Sequence, residues 1–142
     1  MPVYENESDR ESERKIAKFM MKKHGGVFKQ NKKLASIDFV WLRDDKTYNV
    51  EMRCRDINWG TYPTIYISAG KLAVAMKEYK EGRPFIFLVR TRDALKSFVP
   101  TSKNIGMLIN AWGGRVDRGD FRDMDWVVEI PINLFKTLWE KK

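Results

Sequence analysis

Residues 49–55 read NVEMRCR, one carboxylate set among apolar residues and followed two and four positions later by arginines. With the preceding TY the stretch alternates as a β-strand does. Tyr48, Val50, Met52 and Cys54 fall on one side, and Thr47, Asn49, Glu51, Arg53 and Arg55 on the other. The first side is a core face, and the second is chemistry or solvent. Upstream, SIDFVWL (36–42) alternates as well, with Ile37, Phe39 and Trp41 opposed to Ser36, Asp38, Val40 and Leu42. Both of its sides are largely apolar, so a strand covered on each face is expected, with Asp38 as the exception. The short polar connection RDDK (43–46) implies an antiparallel hairpin.

Across that hairpin Asp38 and Glu51 fall at nearly the same height. Two carboxylates placed opposite each other repel unless a cation sits between them. The cation is either a divalent ion shared by their oxygens or the neighbouring Arg53, which would make an ordinary cross-strand salt bridge. The spacing leaves both open.

Before the hairpin, SDRESERKIAKFMMKKHGG (8–26) carries the marks of a helix. Ser8 and Glu11 form a capping-box pattern, Lys22 and Lys23 fill the last turn, and Gly25-Gly26 ends it. Ile16, Ala17, Phe19 and Met20 make the apolar stripe. Glu13 lies at its edge, where a first-turn acid favoured by the helix dipole is the simpler account, and His24 reads as a C-terminal charge for that dipole. GVFKQ (26–30) suits a short strand. After the hairpin, DINWGTYPTIY (56–66) reads as a loop, Ser68 as the N-cap of the helix AGKLAVAMKEYKE, and Gly82 as its terminator. PFIFLVR (84–90) is a buried central strand, and the order strand, helix, strand favours parallel pairing with the Glu51 strand. Beyond it, MLINAW is a short strand or helix, GGRVDRGDFRD a charged glycine-rich loop, WVVEIPI a strand whose Pro131 suits an edge, and NLFKTLWEKK a terminal helix.

At 142 residues the chain has the length of one domain, expected to span 1–142, and its 43% hydrophobic content excludes a disordered protein. No apolar run reaches the ~18 to 20 residues of a membrane-spanning helix, so a soluble intracellular protein is expected. One cysteine and one histidine exclude a zinc site built from those residues, so any metal is held mainly by oxygen, as Mg²⁺ or Mn²⁺. The net charge of +8 conceals five acids in the first thirteen residues; the rest has 26 basic against 14 acidic side chains, a net of +12. Such a body attracts polyanions, of which nucleic acid is the commonest, although charge for solubility alone gives the same count.

The run SIDFVWL…YNVEMRCR, with a helix before it and a helix and buried strand after it, resembles the PD-(D/E)XK nuclease superfamily over roughly residues 8–90. The resemblance implies an α/β, restriction-endonuclease-like αβββαβ core with a mixed central sheet flanked by helices, and residues 91–142 as its elaboration. It implies Asp38 and Glu51 as metal ligands together with the Met52 backbone carbonyl, Glu13 as an added acid, and Mg²⁺ or Mn²⁺ as the cofactor. Where the family has lysine this chain has Arg53, which stays protonated and cannot take a proton from water but can hold a phosphate. Some relatives carry the lysine on the following helix, and Lys71 stands there in SAGK, unless it is one of that helix's solvated lysines. Arg55 reads as a phosphate contact. Trp59, Tyr62, Tyr66, Trp112 and Trp126 are either base-stacking or core residues. The expected function is a Mg²⁺-dependent DNA endonuclease, of phage or resolvase type and working as a homodimer. The alternatives are a nucleic-acid-binding module that has lost catalysis, and a non-enzymatic docking protein.

Overall fold

A computed structural model gives the fold and describes residues 7–31, 39–101, 103–104, 109–114 and 124–142. The order is α1 (Glu7–His24), β1 (Val27–Gln30), β2 (Phe39–Arg43), β3 (Lys46–Cys54), β4 (Thr64–Ser68), α2 (Ala69–Lys80), β5 (Phe85–Arg90), β6 (Ala94–Phe98), β7 (Ile109–Gly114), β8 (Met124–Pro131) and β9 (Lys136–Glu140). One sheet runs β1-β2-β3-β5-β6-β9 and a second runs β4-β8-β7. The hairpin of β2 and β3 is antiparallel and closes on Arg43 opposite Lys46. Asp44 and Asp45 between them have φ of 50° and 63°, the pair of left-handed residues a two-residue hairpin turn requires. The crossover through β4 and α2 returns β5 parallel to β3, with Glu51 beside Phe87 and Arg53 beside Val89. This is the mixed α/β sheet with flanking helices expected from the αβββαβ order.

The apolar run of β5 feeds two cores by simple alternation. Phe85, Phe87 and Val89 pack with Leu72 and Ala75 of α2 and with Ile65, Ile67, Val128 and Ile130 of the second sheet. Ile86 and Leu88 pack on the opposite side with Ile16, Ala17 and Met20 of α1 and with Val50 and Met52 of β3. Each of the larger side chains among them, buried from water, contributes about 1.5–3 kcal/mol, which is why β5 holds the middle. Gly26, at φ +81°, follows α1 where a Cβ would lie 2.5 Å from the Leu42 carbonyl oxygen and 2.6 Å from Trp41 Nε1, so no other residue fits there without displacement.

Several local expectations are corrected. Residues 64–66, read as loop, open β4, and residues 94–98 form β6, which had no assignment from sequence. The terminal segment is not a helix: Ile132–Leu134 make a 3₁₀ turn and Lys136–Glu140 form β9 against β6. The open edge of β6 supplies the tertiary partner that local pattern cannot reveal, and Leu138 and Trp139 pack onto the α1 core from it. Pro131 ends β8, opposite Thr64, but β8 lies between β4 and β7 rather than at an edge. Ile109–Gly114 of the ambiguous segments is strand, taking in Gly113 and Gly114 of the expected loop; residues 115–123 lie outside the described residues. Ser68 precedes α2 as expected but makes no side-chain capping bond. The described α1 begins at Glu7, so Ser8 is inside it. His24 lies in the last turn of α1 as expected, and burial, then the nearby Arg43, Lys23 and Lys136, push its pKa below the ordinary 6.5, which weakens it as a charge for the dipole. Its ring packs edge-on to Trp41.

Candidate active site

The main chain of β3 alternates in its commitments. Asn49 N–H donates to the Pro84 carbonyl at 2.9 Å and Arg55 N–H to the Arg90 carbonyl at 2.8 Å. The odd-numbered residues thus direct their peptide groups to β5, and the even-numbered ones, Met52 among them, turn theirs toward the β2 side. The described pairing with β2 ends at Phe39 opposite Val50.

The odd-numbered side chains face β4 and α2 and are tied to them in sequence. Asn49 Nδ2 donates to Glu78 of α2, and Glu78 also faces Arg83 at 3.9 Å. Glu51, only 4% exposed, takes the Lys71 ammonium, whose Nζ lies 2.5 Å from Oε1. Arg53 Nη1 donates to the Tyr66 main-chain carbonyl, and its guanidinium lies 5.0 Å from the centre of the Tyr66 ring and 5.5 Å from that of Phe87. Arg55 reaches the same Tyr66 ring at 5.7 Å.

The Glu51–Lys71 pair has a simple cause. A carboxylate removed from water stays ionised only beside a compensating cation. Because β4 runs directly into α2, the third residue of that helix comes over the sheet at Glu51. The Lys71 side chain remains 33% exposed while Glu51 is at 5%, so the pair is closed by protein on the glutamate side and open to solvent on the lysine side.

A divalent cation asks for oxygen donors, and the Glu51 carboxylate and the Met52 carbonyl are oxygen donors on consecutive residues. Among the described residues no group of three or more His, Cys, Asp or Glu side chains gathers. Of the oxygen donors expected for such an ion, the described residues supply these two, and Glu51 Oε1 is engaged by Lys71. Asp38 lies outside the described residues. It precedes Phe39, whose partner is Val50, the residue before Glu51.

The structure thus brings Glu51, Arg53 and Lys71 onto one face. Glu13 comes from α1, whose stripe packs on the Val50 and Met52 side, and it is half-buried in a cleft with Arg10, Phe28 and Phe39. Of the aromatic residues, Trp59 is half-buried against Phe135 and Lys96, whereas Tyr62 and Tyr66 are exposed at 54% and 43%. Trp112 and Trp126 are opposite each other in β7 and β8. Sequence reasoning passed over Tyr66 as an anchor for Arg53 and Glu78 as the partner of Asn49. The alternation of TIYIS was the available signal for the first; nothing local pointed to the second.

The loop between β3 and β4 is pinned to the turn between β5 and β6. Trp59 N–H donates to Asp93 Oδ1 at 2.8 Å, Arg92 N–H to the Ile57 carbonyl at 2.9 Å, and Arg92 Nε to Asp56 Oδ1 at 2.7 Å. The Trp59 amide, with smaller help from Thr91 and Lys96, holds the Asp93 carboxyl below the usual carboxylate range against the opposing effect of burial.

Comparison with known proteins agrees with this architecture. Hjc, a Holliday junction resolvase of Archaeoglobus fulgidus, an archaeal hyperthermophile, superposes with a TM-score of 0.60 over 91% of this chain and 90% of its own, at 14% identity. That similarity shows a shared fold. No curated relative matches the sequence. The family model described as "Phage putative PDDEXK endonuclease" matches residues 1–138, nearly the whole chain, and the chain therefore belongs to this phage PDDEXK endonuclease family.

Proposed function

We propose that the protein is a divalent-metal-dependent DNA endonuclease in which Lys71 takes the place of the lysine that Arg53 replaces on β3. The observation that carries this reading is the 2.5 Å contact between Lys71 and the buried Glu51. Family membership and the basic body, +12 over residues 14–142, support a nuclease acting on DNA.

Glu51, the Met52 carbonyl and Asp38 would hold Mg²⁺ or Mn²⁺; Glu13, whose helix packs on the other face of β3, is not included. When bound, the ion lowers the pKa of a coordinated water and neutralises phosphate charge. Lys71 is the mobile cation of the site. With DNA present its ammonium turns from Glu51 to a non-bridging phosphate oxygen and offsets the charge that grows there during attack by water. Arg53 is a positioning residue: bonded to the Tyr66 carbonyl, it fixes the end of β4 and hence the start of α2, from which Lys71 extends. Arg55 contacts a neighbouring phosphate. The resolvase named among similar structures makes branched DNA a substrate to try beside duplex, and a homodimer would supply the paired sites that cutting both strands needs.

The test is nicking of plasmid and branched DNA with Mg²⁺ or Mn²⁺, with and without chelator. Cleavage that needs the ion and disappears in Glu51→Gln is expected. A second reading, a binding module that has lost catalysis, is favoured by the commitment of Arg53 to Tyr66. It holds if the protein binds DNA in a salt-dependent way yet never nicks it with any divalent ion.

A further inference from the structure

Beyond the Glu51 site, the same face of β3 leads into a cleft of about 330 Å³ whose lining includes Arg55, Tyr62, Tyr66 and Glu129. Its chemistry differs from that of a plain phosphate track. Tyr66 and Glu129 are directly opposite each other in the β4–β8 ladder, which puts their Cβ atoms ~5 Å apart on one face of the second sheet. A carboxylate there repels a phosphate. It accepts hydrogen bonds and donates none, and it stands beside an exposed phenol ring whose centre lies 5.0 Å from the Arg53 guanidinium and 5.7 Å from that of Arg55.

We infer that this cleft receives one unpaired nucleobase of the DNA substrate, stacked on Tyr62 and Tyr66 and read by Glu129 through the amino and imino donors of its Watson–Crick edge. Such an edge is available only when the base is out of its pair. Stacking on an aromatic ring contributes about 1–3 kcal/mol per base whatever its identity. Selection comes from Glu129: guanine presents two adjacent N–H donors to its two carboxylate oxygens, cytosine and adenine present an amino group, and thymine presents a single imino N–H between two carbonyl oxygens that the carboxylate repels. Arg55 sits where the adjoining phosphate passes. At ~3.3 Å per residue, Arg55 is about 13 Å along β3 from Glu51, so a single DNA strand lies across both. The loop carrying Tyr62 is fixed by Trp59–Asp93 and Arg92–Asp56, so the cleft is formed before any ligand arrives. The inference rests on the endonuclease reading and names its substrate as DNA with an unpaired base near the cut.

The test is fluorescence anisotropy in chelator, where no metal-dependent cleavage occurs, with labelled duplexes that are fully paired or carry one unpaired G, A, C or T. Unpaired G is expected to bind about tenfold tighter than unpaired T, which is ~1.4 kcal/mol. Glu129→Gln should remove that ratio, and the double variant Tyr62→Ser, Tyr66→Leu should remove the preference for unpaired over paired DNA. Equal binding of paired and unpaired duplexes, or a G over T ratio that survives Glu129→Gln, overturns the inference. If paired DNA is cut with metal but no unpaired preference exists, the cleft reading alone fails. If the preference exists and no divalent ion gives cleavage, the catalytic reading alone fails.

Discussion

The two faces of β3 are built on different principles. On the even face Val50 and Met52 meet Ile16, Ala17 and Met20 of α1 through apolar area, which is non-directional and tolerates exchange of shape for shape. On the odd face Asn49, Glu51 and Arg53 make directed polar contacts, among them those to Glu78, Lys71 and the Tyr66 carbonyl respectively. One strand thereby separates what stabilises the fold from what positions a site. The residues that look misplaced in a central strand are those that register β4 and α2 over it.

The difference can be broken at either face. Glu51→Gln keeps the shape of the odd face and removes the charge; cleavage should fall by about 10³-fold or more, ~4 kcal/mol of barrier, with the melting temperature little changed, by nicking assay and calorimetry. Met20→Ala on the even side should do the opposite. It costs about 2–5 kcal/mol of stability by urea denaturation while activity per folded molecule is retained. Lys71→Ala should lower the cleavage rate at least about tenfold, ~1.4 kcal/mol; a normal rate would return Lys71 to a plain counter-ion. Arg53→Lys sharpens the contrast further, because lysine keeps the charge but lacks the planar fork that bonds Tyr66 and stacks on its ring. A rate loss of a few-fold is expected, and a gain would mean that lysine at 53 resumes the family role.

The smallest effect belongs to His24, beside the even face. Its folded pKa is depressed below 6.5, so between those two values the unfolded chain binds a proton that the folded chain refuses. Stability from this group is fully present above 6.5 and is lost as pH falls through the folded pKa. Urea midpoints measured from pH 7.5 to pH 5 should decline, and His24→Gln should flatten that part of the curve.

The legible parts of the sequence were those decided by short-range pattern. Alternation in 47–55, the continuous apolar run of 84–90, the polar turn of 43–46 and the start of α2 after Ser68 all follow from local sequence, whereas the placing of Lys71 came from the family resemblance. The illegible parts depend on partners distant in sequence. NLFKTLWEKK carries a passable helical pattern and becomes β9 only because β6, far earlier in the chain, offers an open edge. TIYIS is a strand because β8, far later in the chain, pairs with it. The destination of the Arg53 side chain was hidden for the same reason, since its acceptor is a main-chain carbonyl that any residue at 66 would provide.

Lys71 rides on a helix backed by strands that leave the ribosome much later. Leu72 and Ala75 of α2 lean on Val128 and Ile130 of β8 as well as on β5, so the helix is fully seated only once β8 has joined it. Until then the charged pair has no rigid frame. A chain in which β8 is detached would therefore carry Glu51 and Lys71 without the backing that seats α2 over β3.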